Sequence, residues 1–444
     1  MPSRRDILKQ TCAVALGMTG AAHVARGASA GIRPGNRGAT IRSVVRRDET
    51  ILRLGGIGDG YKMTWGADDR LYVVVNDGTG WVDRPEAFYN TRLWTIDGNI
   101  QDAAFSEVGG YPELNDFTRP ENSPSYYGHG LLAVRGRLYQ FLSTLDRATD
   151  RPRHWVGSKL IYSIDKGRTW CNQDGTSPVV WEGWDGQSRE RLMFFQEPQG
   201  SFSLLSILQM GRDYAANRDG YIYMYGLNGN VDGRMNELVM VRAPVAELPN
   251  RRAYEYFGGW LGNGGPRWVK DIDARAIVHT FPRGWVNRTN LFEGDLVVES
   301  WLPSVVYNEP LGLYLMVSAG IGCGPDGTAF GKPSYLGFWV SSTPWGPWRQ
   351  IHEETAWTPD NDSAARAYAP QIAPKWIAPD GKSCWLVWAD LQGIRTFGRD
   401  RSLLDAALEK ADGPEQRSAV MADFTRRYMP RFACNAQRVD LVVS

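Results

Sequence analysis

The sequence predicts an all-β chain closed into a five-bladed β-propeller, with short helices and one last strand near the carboxyl end. Three observations predict it. Helical periodicity is scarce between about residues 55 and 392, where short strand-like runs alternate with Gly, Asp and Pro turns. One unit recurs five times: an apolar strand, a tight turn, and a strand that often opens with Leu-Tyr. The copies lie roughly 70 to 90 residues apart, the spacing of a ring that protects its strand edges by radial repetition. A β-sandwich with insertions is the rival arrangement.

The elements justify this in chain order. Residues 1–30 place Arg4 and Arg5 ahead of a Gly/Ala-rich run that ends in "ASA" at 28–30. That pattern is similar to a twin-arginine export signal, with Ile7 where phenylalanine is usual. The run is too short for a membrane span. The expected mature protein is bacterial, periplasmic or secreted, exported already folded, and has no membrane partner after cleavage. Residues 31–54 form an Arg- and Gly-rich extension, within which "TILRL" (50–54) can complete a blade. The propeller proper is expected over 55–444. Its clearest repeats are "MTWGADDRLYVVV" (63–75), "LLAVRGRLYQFLS" (131–143) and "VVYNEPLGLYLMVS" (305–318); looser copies occupy 207–226 and 372–390. Third strands follow at 91–96, 159–164, 237–243 and 335–342. After 395, segments 402–411 and 415–428 read as helices, and "AQRVDLVV" (436–443) reads as the closing strand.

Composition excludes some functions. With 50 basic and 49 acidic residues the net charge is +1, so nothing electrostatic points to nucleic acid or an anionic membrane. The expected partner is a polysaccharide or oligosaccharide, bound by a monomer. Cys171, Cys323, Cys384 and Cys434 remain after cleavage, far apart and without C-x-x-C spacing, which argues against zinc. They allow three disulfide pairings, or none. Histidines are few and no pair sits at i, i+4; no Ser/His/Asp set or phosphate loop is evident. No metal or cofactor is expected. A central calcium or sodium ion is compatible with such a ring, but nothing in the sequence demands one.

The acid-rich stretch "GDGYKMTWGADDRLYVVVNDGTGW" (58–81) carries the chemistry. Read as a hairpin with its tip near Asp68, it pairs Trp65 with Leu71, Met63 with Val73, Tyr61 with Val75 and Asp59 with Asp77. Asp68 and Asp69 fall in the turn, where aspartate supports turn geometry. Asp59 and Asp77 share the other end, beside the central funnel where ligands bind. Opposed carboxyls compete for one proton, which suits glycosidic cleavage: one protonates the leaving oxygen, the other is nucleophile or base.

The same stretch resembles the opening blade of the endo-D-arabinanase-like glycoside hydrolases. Gly58, Asp59, Thr64, Trp65, Asp68 or Asp69, Leu71, Tyr72, Asp77, Gly78, Gly80 and Trp81 match their pattern, and Tyr61 departs from a tryptophan. "YYGHGLLAV" (126–134), "ARAYAPQIAPKW" (365–376) and "NAQRVDL" (435–441) match more loosely. The resemblance implies a five-bladed propeller and a catalytic pair carried onto Asp59 and Asp77. Related propeller hydrolases also place an acid at a strand start, which makes Glu299 the third catalytic candidate. "SIDKGRTW" (163–170) is similar to the Asp box of sialidase-type propellers, where Asp165 would cap a turn and Trp170 pack between strands. "SSTPWGPW" (341–348) resembles a blade-ending turn of arabinanase-like propellers. Around the funnel the expected substrate-binding residues are Trp81 and Trp301, which would stack on sugar rings, with Tyr127, His129, Asn228, Asp232, Arg366, Tyr368 and Asp390. The expectation is a secreted glycoside hydrolase acting on furanose-containing, arabinan-like polysaccharide by a two-carboxylate mechanism. The alternatives are a non-catalytic sugar-binding propeller and a sialidase-like exo-glycosidase.

Overall fold

A computed structural model describes residues 39–82, 87–114, 125–146, 154–183, 186–229, 236–282, 285 and 302–444. The described chain opens with two strands, β1 (Ile41–Arg46) and β2 (Leu52–Gly55), and then builds five sheets around one axis. Blade 1 is β3 (Ile57–Trp65), β4 (Leu71–Gly80), β5 (Tyr89–Asp97) and β6 (Ala104–Glu107). Blade 2 is β7 (Tyr126–Val134), β8 (Arg137–Leu145), β9 (Trp155–Ser163) and β10 (Cys171–Asn172). Blade 3 is β11 (Leu205–Ile207), β12 (Tyr221–Leu227), β13 (Glu237–Pro244), β14 (Glu255–Trp260) and β15 (Pro266–Val269), with β16 (Ile277–Thr280) paired to β13. Blade 4 is β17 (Ser304–Asn308), β18 (Leu313–Gly320), β19 (Tyr335–Ser341) and β20 (Arg349–Glu354). Blade 5 is β21 (Ala367–Ile377), β22 (Ser383–Asp390) and β23 (Cys434–Val443), with β1 as its outer strand.

The five repeated units are thus the inner hairpins of the five blades, and the fold is the propeller that the repeat predicts. The closing strand sits third in blade 5, and β1 and β2 pair antiparallel with opposite halves of it. Residues 41–55 and 434–443 therefore complete one sheet, with β1 at its outer edge and β21 at its inner edge. The two expected helices are present as α2 (Arg401–Glu409) and α3 (Gly413–Tyr428), preceded by a short α1 (Ile394–Arg399). They fold back on blades 1 and 5, where Leu404, Met421 and Ala422 join a core with Tyr61, Val75 and Phe432. No helix of the described residues is long and apolar enough to cross a membrane.

Hydrogen bonds tie each blade to the next. The Asn76 side chain donates to the Gly128 carbonyl and accepts from the Gly128 N–H, both at 3.1 Å. The Ala133 N–H donates to Thr64 Oγ1 at 2.8 Å. Gln209 and the Val305–Tyr307 backbone exchange two bonds between blades 3 and 4, and Asn308 Nδ2 reaches the Gly381 carbonyl at 2.8 Å between blades 4 and 5. Gly128 permits the first of these contacts: a β-carbon there would lie 2.3 Å from Gln140 Nε2 and 2.4 Å from Val74 Cγ1.

The Asp box acts as expected, whereas the 341–348 turn joins β19 to β20 inside blade 4 and does not end the blade. Asp165 accepts from the Thr169 N–H (2.9 Å), the Thr169 hydroxyl (2.7 Å) and the Ser163 hydroxyl (2.8 Å), and Trp170 is buried with its Nε1 on the Gly167 carbonyl. Burial works against the Asp165 carboxylate, but these bonds hold its pKa below the usual carboxylate range. The Ser341–Trp348 turn ends β19 and sends the Pro344 carbonyl to the buried Tyr225 hydroxyl at 2.6 Å.

Candidate active site

The hairpin β3–β4 positions the two aspartates. Its turn holds Asp68 and Asp69 structurally: Tyr72 donates to Asp68 at 3.0 Å and Trp65 Nε1 to Asp69 at 2.9 Å. Near the turn the register agrees with the sequence reading, with Trp65 opposite Leu71 and Met63 opposite Val73. Beyond that it slips. Past Lys62, which keeps its expected place opposite Val74, Asp59 stands opposite Asn76, not Asp77. Gly60 and Tyr61 together face Val75, a bulge in which Tyr61 takes φ +33°. A second irregularity lies on β4, where Asp77 takes φ +50°. Gly58 accommodates it, since a β-carbon at that position would sit 2.5 Å from the Asn76 carbonyl.

The bulges bring the aspartates together by another route. Tyr368, on the inner strand of blade 5, donates its hydroxyl hydrogen bond to Asp59 Oδ2 across the blade junction. Burial pushes the Tyr368 hydroxyl well above its usual pKa, Asp59 adds to this, and Asp77 acts in the same direction. Asp59, Asp77 and Tyr368 therefore share one electrostatic neighbourhood at the funnel end of the hairpin. Both aspartates keep part of their surface exposed. Burial raises Asp59 to about 7, against the opposing pull of the Tyr368 hydrogen bond and the Lys62 charge. A carboxyl at that value exchanges protons near neutrality.

The other expected residues divide. His129 is buried, with Nδ1 2.8 Å from the Ser143 hydroxyl and its ring edge-on to Trp155. Burial, with Lys62 nearby, lowers it to about 3, so its imidazole is neutral at ordinary pH. Tyr127 packs edge-on against the same Trp155 at 5.4 Å. Trp81 lies stacked on Phe105 at 3.9 Å and donates to the Leu54 carbonyl. Asn228 bridges Glu237 and Arg275. Asp390 is buried and accepts from the Arg366 and Gln392 N–H groups at 2.7 and 2.9 Å, while the Arg366 side chain donates to the Phe330, Ser363 and Ala365 carbonyls. The pair anchors the segment leading into Tyr368. Glu299, Asp232 and Trp301 lie outside the described residues.

Sequence reasoning missed Lys62. In a regular strand it points away from Asp59; the bulge at Gly60–Tyr61 puts both on one side of the hairpin. Its signal was a lone lysine between the large apolar residues Tyr61 and Met63 of the inner strand. Among the described residues no group of three or more His, Cys, Asp or Glu gathers as a metal site. Cys384 and Cys434 are buried free thiols, and Cys323 is half-buried.

No protein-family model matches the chain, and no curated protein matches it. Solved structures do. A thermostable family-43 glycoside hydrolase is 15% identical, with 76% of this chain and 84% of that one covered at a TM-score of 0.41. The Cellvibrio cellulosa α-L-arabinanase is 11% identical over 77% and 86%, at a TM-score of 0.38. The catalytic domain of the Coprinopsis cinerea GH62 α-L-arabinofuranosidase is 11% identical over 90% and 96%, also at 0.38.

Proposed function

We propose that this protein is a glycoside hydrolase in which Asp59 and Asp77 are the two carboxyls of the cleavage step. The observation that carries it is the Tyr368 hydroxyl seated on Asp59 with Asp77 beside it, at the partly exposed end of the inner hairpin. Asp59, raised to about 7, is the group able to protonate a leaving glycosidic oxygen at neutral pH. Asp77 is then the second carboxylate, acting as nucleophile or as base toward water. The resemblance of residues 58–81 to the endo-D-arabinanase-like enzymes supports a furanose-containing, arabinan-like substrate. The twin-arginine pattern of residues 1–30 supports export to the periplasm or medium.

The test is a screen of the purified protein on D-arabinan, L-arabinan, galactan and sialosides, with chromatography of the products. Release of arabinose-containing oligosaccharides is expected. Asp77→Asn should lower turnover by about 10²–10⁴-fold while sugar binding persists. Binding without cleavage by the unaltered protein would instead make this a sugar-binding propeller. Full cleavage by Asp77→Asn would remove Asp77 from the reaction.

A further inference from the structure

The five inner strands leave a small cavity on the ring axis, ≈ 20 Å³ in volume, room for one water molecule or one small ion. Every blade lines it: Lys62 from β3, His129 from β7, Ser206 from β11, Ser304 from β17 and Gln371 from β21. Most of these polar groups are engaged. Gln371 Nε2 donates to the Ala369 and Pro370 carbonyls, Ser304 Oγ accepts from the Ile372 N–H, and His129 Nδ1 meets Ser143. Two donors are not. Lys62 is 4% exposed and its Nζ makes no hydrogen bond to any described residue; Ser206, equally buried, has a hydroxyl in the same condition.

An ammonium offers three N–H donors and no lone pair. Buried without an acceptor, it is among the most unfavourable groups a fold can hold. We infer that the axial cavity binds a small monovalent anion of chloride size, held by the Lys62 ammonium and the Ser206 hydroxyl. The volume excludes a sugar carboxylate. This site is independent of the hydrolase assignment and would exist in a binding propeller as well.

The charged neighbours give the site a pH sense. Asp59, on the same strand, is the carboxyl that acts on Lys62; His129 faces it from β7, and β11, β17 and β21 present only the neutral Ser206, Ser304 and Gln371. Burial lowers Lys62 to about 7 and raises Asp59 to about 7. Below that value Lys62 keeps its proton while Asp59 is neutralised, so the counter-charge must come from an added anion. Above it Lys62 loses its proton and the anion its partner.

Thermal unfolding tests this at matched ionic strength in sodium chloride, sodium bromide and sodium gluconate, gluconate being too large for the cavity. At pH 6 chloride and bromide should raise Tm by about 1–2 °C over gluconate. The gain should shrink at pH 8.5 and vanish in Lys62→Met. In crystals soaked in bromide, an anomalous peak should lie within hydrogen-bond reach of Lys62 Nζ. No halide-specific gain at pH 6, a gain that survives in Lys62→Met, or a cavity without bromide in the soaked crystals overturns the inference. The crystal measurement uses the unaltered chain, so it decides the matter even if Lys62→Met does not fold.

Discussion

Tyr368 links the proton chemistry of Asp59 to the neighbouring blade. Its hydroxyl bond favours the ionised carboxylate, so it holds Asp59 lower than burial alone would. Removing the hydroxyl in Tyr368→Phe should therefore raise Asp59 further. If Asp59 is the acid, its protonated form is the active one, and activity falls as pH rises through its pKa. The alkaline limb of the kcat/KM profile should then move upward, by about one pH unit for the loss of one charge-assisted hydrogen bond. An unmoved limb, with only a uniform drop in rate, would mean that Tyr368 supports structure and that another group supplies the proton. At this scale the sequence was informative about identity and poor about environment. The sequence singled out Asp59, Asp77 and Tyr368 because acidic and aromatic residues at strand ends beside a funnel are unusual, and the structure brings the three into one neighbourhood. The indole of Trp81 stacked on Phe105 and the Asp390 carboxylate capped by two N–H groups were not legible, since their partners are distant in sequence and fixed only by packing.

Elements were more legible where their chemistry is local. The Asp box illustrates this: Ser163, Asp165, Gly167, Thr169 and Trp170 satisfy one another within eight residues, and the structure reproduces the predicted roles. Asp165→Ala removes the acceptor of three bonds and leaves the Thr169 N–H without its partner. Unfolding by urea should show a loss of about 1–3 kcal/mol, with kcat/KM unchanged because the turn joins β9 to β10 at the outer side of blade 2. A loss of activity without a loss of stability would reverse that assignment. The β3–β4 hairpin shows the opposite case. Its turn was readable from Asp68 and Asp69, but its bulges were not, because Tyr61 and Asp77 adopt positive φ without the glycine that usually announces it. A strand register propagates from its turn until something interrupts it, so the bulge at Gly60–Tyr61 altered the pairing of Asp59 and hid Lys62. Blade 3 was similarly incomplete, since its short outer strands β14 to β16 carry too few alternating residues to stand out.

At the scale of the whole molecule the ring depends on its closure. Repeats announced five blades, but repeats alone do not say which segment completes the last one. That role falls to β1, which pairs with β23 and also grips blade 4: Arg46 reaches both carboxylate oxygens of Glu354 at 2.5 and 2.9 Å, and Arg349 donates to the Ile41 carbonyl. Burial opposes the Glu354 charge, but His352 and Arg46 hold its pKa below the usual glutamate value. A carboxylate lowered by folding stabilises the native state above its unfolded pKa, and that contribution is lost as pH falls through the folded value. Two truncated chains test the closure, one beginning at residue 39 and one at residue 47. The longer chain should behave as the full protein. The shorter one exposes the β23 edge and leaves Glu354 without its arginine, so at pH 7 it should unfold several degrees lower and associate on a sizing column. The difference in Tm should narrow as pH falls through the lowered folded pKa of Glu354, where the carboxyl takes up its proton and Arg46 has less to hold. Equal melting temperatures at pH 7, with both chains monomeric, would show that three strands suffice for blade 5 and that the amino-terminal strand covers the ring without closing it.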